Sequence, residues 1–188
     1  MKLLHSLLAS TLLATAWLPT HAITYTAFIP EQSQLTFSYR QMGVSLDGSF
    51  PAFQGSLTFD PTAPEQGRAE VSITVAEIDT GLPDANAEVT KAEWFAVAQH
   101  PVAHFETTAI RALGDQRYEV DGTLTIKGIQ RPLTLPATFT ETDGRGVFAG
   151  QFTLNRSDFK IGEGMWAGTD LVANEVDVRF ELAARPAP

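Results

Sequence analysis

The sequence predicts an all-β fold: a closed antiparallel β-barrel of about eight strands with one short helical insertion at about 84–98. Three features predict it. Apolar and polar residues alternate through about eight or nine separate stretches, the period of strands dry on one face and wet on the other. Most stretches are joined by short turns, so chain neighbours pair antiparallel, whereas a two-sheet sandwich usually needs longer Greek-key crossings. Gly55, Gly122 and Gly150 stand on the apolar side of their strands, where a solid core would more naturally carry Val or Ile. A strand glycine marks a bend or a close approach to the backbone, as strongly bent strands around a lumen require. The competing architecture is a sandwich with a solid core.

The first 22 residues read as a leader rather than as part of the fold. Lys2 precedes an apolar run from Leu3 to Leu18, and Pro19 precedes Thr20-His21-Ala22, with small residues at the positions a signal peptidase selects. The run is short for a membrane span of roughly 20 residues, and no stop-transfer pattern follows. Cleavage after Ala22 leaves one barrel domain at 23–188 and moves the formal charge from −9 to about −10. In that domain Ser33 to Arg40 alternates with Leu35, Phe37 and Tyr39 on one side. Val44 to Phe50 is a weaker strand ended by Pro51. Phe53, Gly55, Leu57 and Phe59 form the next, and Ala69, Val71, Ile73 and Val75 another.

The period then changes. From Asp84 to Val97 the chain is rich in Ala, Glu and Lys with no alternation, which predicts one or two short helices capped by Asp84 and anchored by Trp94 and Phe95. Gln99-His100-Pro101 ends them. Strands resume through Phe105–Ala109, Tyr118–Ile126, Leu133–Phe139, Phe148–Leu154 and Val176–Leu182. A Gly-rich crossing from Asn155 to Asn174 joins the last two, and the tail Arg185–Pro188 should fray.

The composition excludes several functions. An acidic chain with its Lys and Arg spread singly has no electrostatic footprint for nucleic acid or for anionic lipid surfaces. No cysteine is present for cross-links or for a lipoprotein anchor, so stability must come from burial, for which the twelve Phe supply area. His100 and His104 would lie roughly 13 Å apart on a strand, too far to share a metal. No nucleophile elbow, P-loop or dinucleotide fingerprint is present. Neither a catalytic nor a metal site is expected, nor a cofactor.

What remains is the inner face. A barrel of about eight strands is either just filled by its side chains or able to hold one ligand, which such walls would select to be apolar. The candidate ligand contacts are Leu35, Phe37, Phe53, Leu57, Phe59, Ile73, Val75, Phe105, Leu124, Ile126, Leu133, Leu135, Phe139, Phe148, Phe152, Val176, Val178 and Phe180. Of these, Phe37, Ile73, Leu124, Leu135, Phe152 and Val178 sit mid-strand and should border one continuous cavity. Trp166, in the Gly-rich crossing, is either a lid over the lumen or a plug in the barrel end. Arg156 either meets a polar head group or pairs with Asp158 or another carboxylate to pin the loop.

The ordered set of SQLTFSYRQMG (Ser33–Gly43), GSFPAFQGSLTFDP (Gly48–Pro61), DTG (Asp79–Gly81), WF then HP and HF (Trp94 to Phe105), LTIKGIQRPLTL (Leu124–Leu135) and NRSDF (Asn155–Phe159) resembles the YceI-like polyisoprenoid-binding proteins along nearly all of the domain. The resemblance implies an exported, periplasmic, lipocalin-like barrel that holds the isoprenoid tail of a quinone or polyprenyl lipid, as carrier or buffer, with no catalytic residue or metal. Lys160 departs from the small residue often found there and should make the mouth more cationic. The IGEGMW loop (Ile161–Trp166) resembles members associated with membrane b-type cytochromes, which implies such a partner. The alternatives are a filled barrel acting as an accessory of that cytochrome system, and an enzyme acting on such a lipid.

Overall fold

A computed structural model describes residues 23–188; the leader expected at 1–22 lies outside them. Ten strands form one antiparallel sheet: β1 (Tyr25–Phe28), β2 (Gln34–Gln41), β3 (Val44–Ser49), β4 (Phe53–Phe59), β5 (Arg68–Thr74), β6 (Val102–Gly114), β7 (Arg117–Ile126), β8 (Ile129–Thr142), β9 (Arg145–Asn155) and β10 (Glu175–Pro186). The sheet runs β1-β4-β5-β6-β7-β8-β9-β10 and closes where β10 pairs with β1. β10 pairs with β2 over Asp177–Glu181 and with β1 over Ala184–Pro186, so β1 and β2 follow one another along the same edge. β3 pairs with β2 and β4 with β1, so the ten strands make eight staves, two of them broken.

The breaks have local causes. Between β1 and β2 a turn at Pro30–Gln32 bulges outward, and Ser33 Oγ ties it down, donating to Ile29 O at 2.7 Å and accepting from Ala183 N at 2.9 Å. Between β3 and β4 stands Pro51, which has no N–H for the ladder. The other staves follow the sequence period closely: along β7 each second residue, from Tyr118 to Ile126, is buried. Lys127-Gly128 and Asp143-Gly144 turn with φ of 52°, 72°, 53° and 73°, the primed geometry that matches strand twist.

Three expectations change. The tail at Arg185–Pro188 does not simply fray: Arg185 and Pro186 pair with β1, and Ala187 N donates to Thr24 O at 2.8 Å. β1 carries too little alternation in four residues to be read from sequence, yet it closes the barrel. The insertion is also less helical than expected: α1 spans Pro83–Val89, and Thr90 to His100 winds through turns with Ala96 at φ 50°. Asp84 is not its cap but lies in its first turn, after Leu82 at the N-cap position. Proline is pre-set for that first turn, so Pro83 starts the helix without a side-chain cap.

The three inward glycines are explained by close approach. A Cβ on Gly122 would collide with the Phe105 ring and Glu106 O, one on Gly150 with Pro136 O and the Phe180 ring, and one on Gly55 with Glu70 O and the Phe28 ring. Bent strands bring the neighbouring backbone in, and an aromatic ring covers the glycine, so this space belongs to the protein and not to a ligand. One end of the barrel is closed by a floor of such rings. Phe59 sits 5.4 Å from Tyr118, 5.1 Å from Phe139 and 5.0 Å from Phe148, and Tyr25 packs edge-on to Phe139 at 5.0 Å.

Gly122→Ala should therefore cost about 1–3 kcal/mol by overpacking, read as a lower urea midpoint at unchanged slope. A second prediction concerns Tyr25 in the floor. Burial first, then the hydrogen bond it donates to Glu141 Oε2 at 3.0 Å, push its pKa from 10.0 to about 12. A raised folded-state value means that the neutral phenol stabilises the fold, fully below pH 10 and progressively less as pH rises through about 12. Tyr25→Phe should make stability fall less steeply across that window, as followed by denaturant titrations at successive pH values. Tyr39 and Tyr118, also raised by burial, keep part of the slope.

Candidate functional site

Above the aromatic floor the inner faces do not meet. They enclose a cavity of about 750 Å³, so the lumen is not filled by its own side chains. Alternation places the wall. Phe37, Ile73, Leu124, Leu135, Phe152 and Val178 all border the one cavity, as do Leu35, Leu57, Phe59, Val75, Phe105, Ile126, Leu133, Phe148, Val176 and Phe180. Phe53 and Phe139 do not. Phe139 lies under Tyr25, Phe59 and Phe148 in the floor, and Phe53 is consumed by packing in the same buried cluster.

The strand alternation also covers wall residues left off the candidate set, among them Tyr39, Tyr118, Val120, Leu154 and Leu182. No such period pointed to Leu82, Asp84, Glu88, Val89, Trp94 and Phe95, which reach the wall from the insertion. Leu82, Pro83 and Asp84 are both exposed and on the wall, so the cavity meets solvent beside α1, with Gln41, Asp84 and Glu88 around the opening.

The long connections 75–101 and 156–174 both lie at this end and interlock. Gly162 N and Glu163 N donate to Glu93 O at 2.8 and 2.7 Å. Trp166 packs on Trp94 with ring centres 5.5 Å apart, and both rings line the cavity. Lys127 Nζ ties the loop from outside, donating to Lys160 O at 2.9 Å and Glu163 Oε2 at 2.8 Å, and that bond holds the Glu163 carboxyl below its ordinary range. Trp166 is thus part of a roof at the mouth end, opposite the aromatic floor.

Arg156 is the centre of that roof, but not through Asp158. It is 3% exposed, and its five N–H groups are spent on six carbonyls of its own loop. Nε donates to Ala173 O, Nη1 to Ile161 O and Gly162 O, and Nη2 to Trp166 O, Gly168 O and Val172 O, at 2.7–3.1 Å. Asp158 is exposed and makes no ion pair with it. The reason is geometric: a turn over Arg156–Phe159 carries Asp158 outward while its neighbour turns in. Burial lowers the guanidinium's pKa from its ordinary value, yet arginine stays charged at neutral pH. Trp94 lies beneath it, with Arg156 Cζ 5.8 Å from the ring centre.

The two histidines stand apart from this chemistry. His104 Nδ1 is 3.0 Å from Ser72 Oγ on the neighbouring strand, and His100 packs against Gly128. No helix among the described residues is long and apolar enough to cross a membrane.

The YceI-like domain matches residues 27–184, from β1 into β10. The chain belongs to this family. A relative from Ectopseudomonas mendocina, called UPF0312 protein, is 27% identical over 180 residues and spans 90% of this chain and 94% of its own. BcnA of Burkholderia cenocepacia, known from a crystal structure, is 35% identical, with a TM-score of 0.81 over 84% of this chain and 99% of its own. A polyisoprenoid binding domain from Saccharophagus degradans has the same fold, with a TM-score of 0.68 at 16% identity over 87% of this chain and 99% of its own.

Within this YceI-like barrel the NRSDF segment is a structural knot. Lys160, just after it, holds φ 54°, a left-handed conformation that side chains disfavour. It is exposed and off the cavity wall, so the charged groups at the opening are Asp84 and Glu88 and not, as expected, a lysine. Arg156→Lys should cost about 3–5 kcal/mol, since three donors cannot serve six carbonyls, three of them in buried bonds. Urea unfolding would measure it, and exchange of the Ile161–Ala173 amides should rise with it.

Proposed function

We propose that this protein binds an isoprenoid-tailed lipid, of quinone or polyprenyl type, inside the barrel and serves as a carrier or buffer for it. The observation that carries this reading is one continuous apolar cavity, floored by aromatic rings and open beside α1 at a polar-edged mouth. A ~150 Å³ cavity takes one benzene, so about 750 Å³ has room for roughly 30 carbon atoms, on the order of six isoprene units. Each buried methylene equivalent contributes on the order of 0.8 kcal/mol before ordering costs, so affinity comes from the tail. The polyisoprenoid binding domain that shares the fold supports the same class of ligand.

The leader at 1–22 supports export to the periplasm with cleavage after Ala22. A second reading, an accessory role beside a membrane b-type cytochrome, draws on the IGEGMW loop, where Met165 is 81% exposed and available to a partner.

Native mass spectrometry of protein purified without detergent, followed by organic extraction, tests the main reading. An isoprenoid lipid in one-to-one complex is expected. Apoprotein alone, after exposure to prenyl lipids, would overturn it. Trp166→Ala should speed lipid release several-fold while lowering the melting temperature little, because it opens the roof without touching the floor or the Arg156 knot.

A further inference from the structure

Exposed apolar side chains are ordinary when they stand singly, but four of the eight large ones exposed among the described residues gather at the mouth of the cavity: Met42, Val44, Leu82 and Leu171. Backbone contacts bring them together. Met42 N donates to Leu171 O at 2.8 Å, and Gln41 pairs with Val172. Asp79 pairs with Ser49, and a Cβ on Gly81 would lie 2.8 Å from Asp47 O, so Leu82 follows β3 towards Val44. Gln41, Val172 and Leu82 also line the cavity, which places the four at its opening.

Met42 is 69% exposed, and exposure is not its only cost. It is the first residue of a two-residue hairpin turn, at φ 48° before Gly43 at 81°. That conformation favours Asn, Asp or Gly, and the two turns of the same build carry Lys127 and Asp143 in that place. Neither turn chemistry nor burial accounts for a methionine at this tip.

We propose that this rim is a docking surface for a lipid bilayer of zwitterionic head groups, in which Met42, Val44, Leu82 and Leu171 insert between head groups and the cavity opens towards the hydrocarbon. The docking goes beyond the lipid-binding reading and takes from it only that the cargo is apolar. Two observations choose the occupant. Leu82 is at once exposed and on the cavity wall, so apolar surface runs from the lumen out on to the rim. A bilayer continues that phase, whereas a protein seated there would cap the opening. Exposed carboxylates also stand among the apolar tips, Asp84 two residues from Leu82 and Asp170 beside Leu171. A close-packed protein interface would desolvate them. At shallow insertion they stay in the hydrated head-group layer, where the cationic ends of phosphatidylcholine or phosphatidylethanolamine complement them and anionic lipid repels them.

Flotation of the mature chain with vesicles that lack isoprenoid lipid is the test. Wild type should float with phosphatidylcholine vesicles, more weakly when phosphatidylglycerol is mixed in, and undiminished by added salt. Met42→Asn suits the turn and leaves the cavity wall untouched. It should keep or raise the melting temperature while lowering vesicle affinity about threefold to tenfold. Leu113→Gln, at an exposed apolar position towards the floor end of β6, should leave vesicle affinity unchanged. A second measurement needs no loss of affinity. The chain has no cysteine, so Met42→Cys and Leu113→Cys each take one environment-sensitive fluorophore. Only the label at position 42 should brighten and shift to the blue on vesicles.

No flotation with phosphatidylcholine, or flotation that requires phosphatidylglycerol and is abolished by salt, would overturn the proposal. So would two labels that respond alike, or a dimer in solution that Met42→Asn dissociates, which would give the rim to a second copy of the chain. Because these vesicles carry no isoprenoid lipid, a failure to dock is distinct from a failure of the lipid-binding reading, which the extraction of bound lipid decides.

Discussion

Closing eight staves into a ring fixes the diameter, and at that width inward side chains only just reach one another across the lumen. Whether the centre fills or stays open then depends on where the large rings stand. Here Tyr25, Phe59, Tyr118, Phe139 and Phe148 gather at one end and pack ring against ring. The side chains above them do not meet across the lumen, and a cavity of about 750 Å³ remains. Ring closure thus produces both the floor and the space over it. It depends on β10 handing its free edge from β2 to the short β1.

The open end raises a different problem, because two long connections must cover it with strand pairing at isolated bridges alone, Val172 to Gln41 and Asp79 to Ser49. Loop carbonyls buried there need donors, and a single guanidinium supplies five in a rigid fork. Arg156 gathers the carbonyls of residues 161–173 around itself, and the loop folds about this charge as well as onto the apolar cluster that buries Phe159, Ile161 and Val172. A carboxylate partner would have taken two of those donors. The Arg156 cluster, the Trp94–Trp166 stack and the Glu93 carbonyl accepting from Gly162 and Glu163 together join the roof to the insertion that carries α1.

The glycines separate two meanings of one sequence signal. An inward glycine on a strand suggests either room for a ligand or a tight approach of protein to protein. In this barrel Gly122 lies under the ring of Phe105 and Gly150 under that of Phe180, and the neighbouring carbonyl is as close as the ring. Strong bending of the strands is thereby stabilised, and the open volume lies elsewhere in the lumen. The same two positions support the barrel as the sequence suggested, for the second of those reasons.

By itself the sequence determined what depends on neighbours two residues apart: the strands, their inner faces, and the break in period at the insertion. Phe37, Ile73, Leu124, Leu135, Phe152 and Val178 reach one cavity because a strand's alternation fixes which way each side chain points. Only the tertiary structure decided what depends on partners far away in the chain. β1 is too short to declare itself and exists because β4 and β10 flank it. Phe139 has the same inward phase as Leu135 but stands at the end where Tyr25 and Phe59 cover it. Asp158 stands two residues from Arg156 in sequence, yet a single turn separates them, and the arginine finds its acceptors up to 17 residues further along the chain. Period specifies a face; which groups meet across that face is set by closing the ring and packing its two ends.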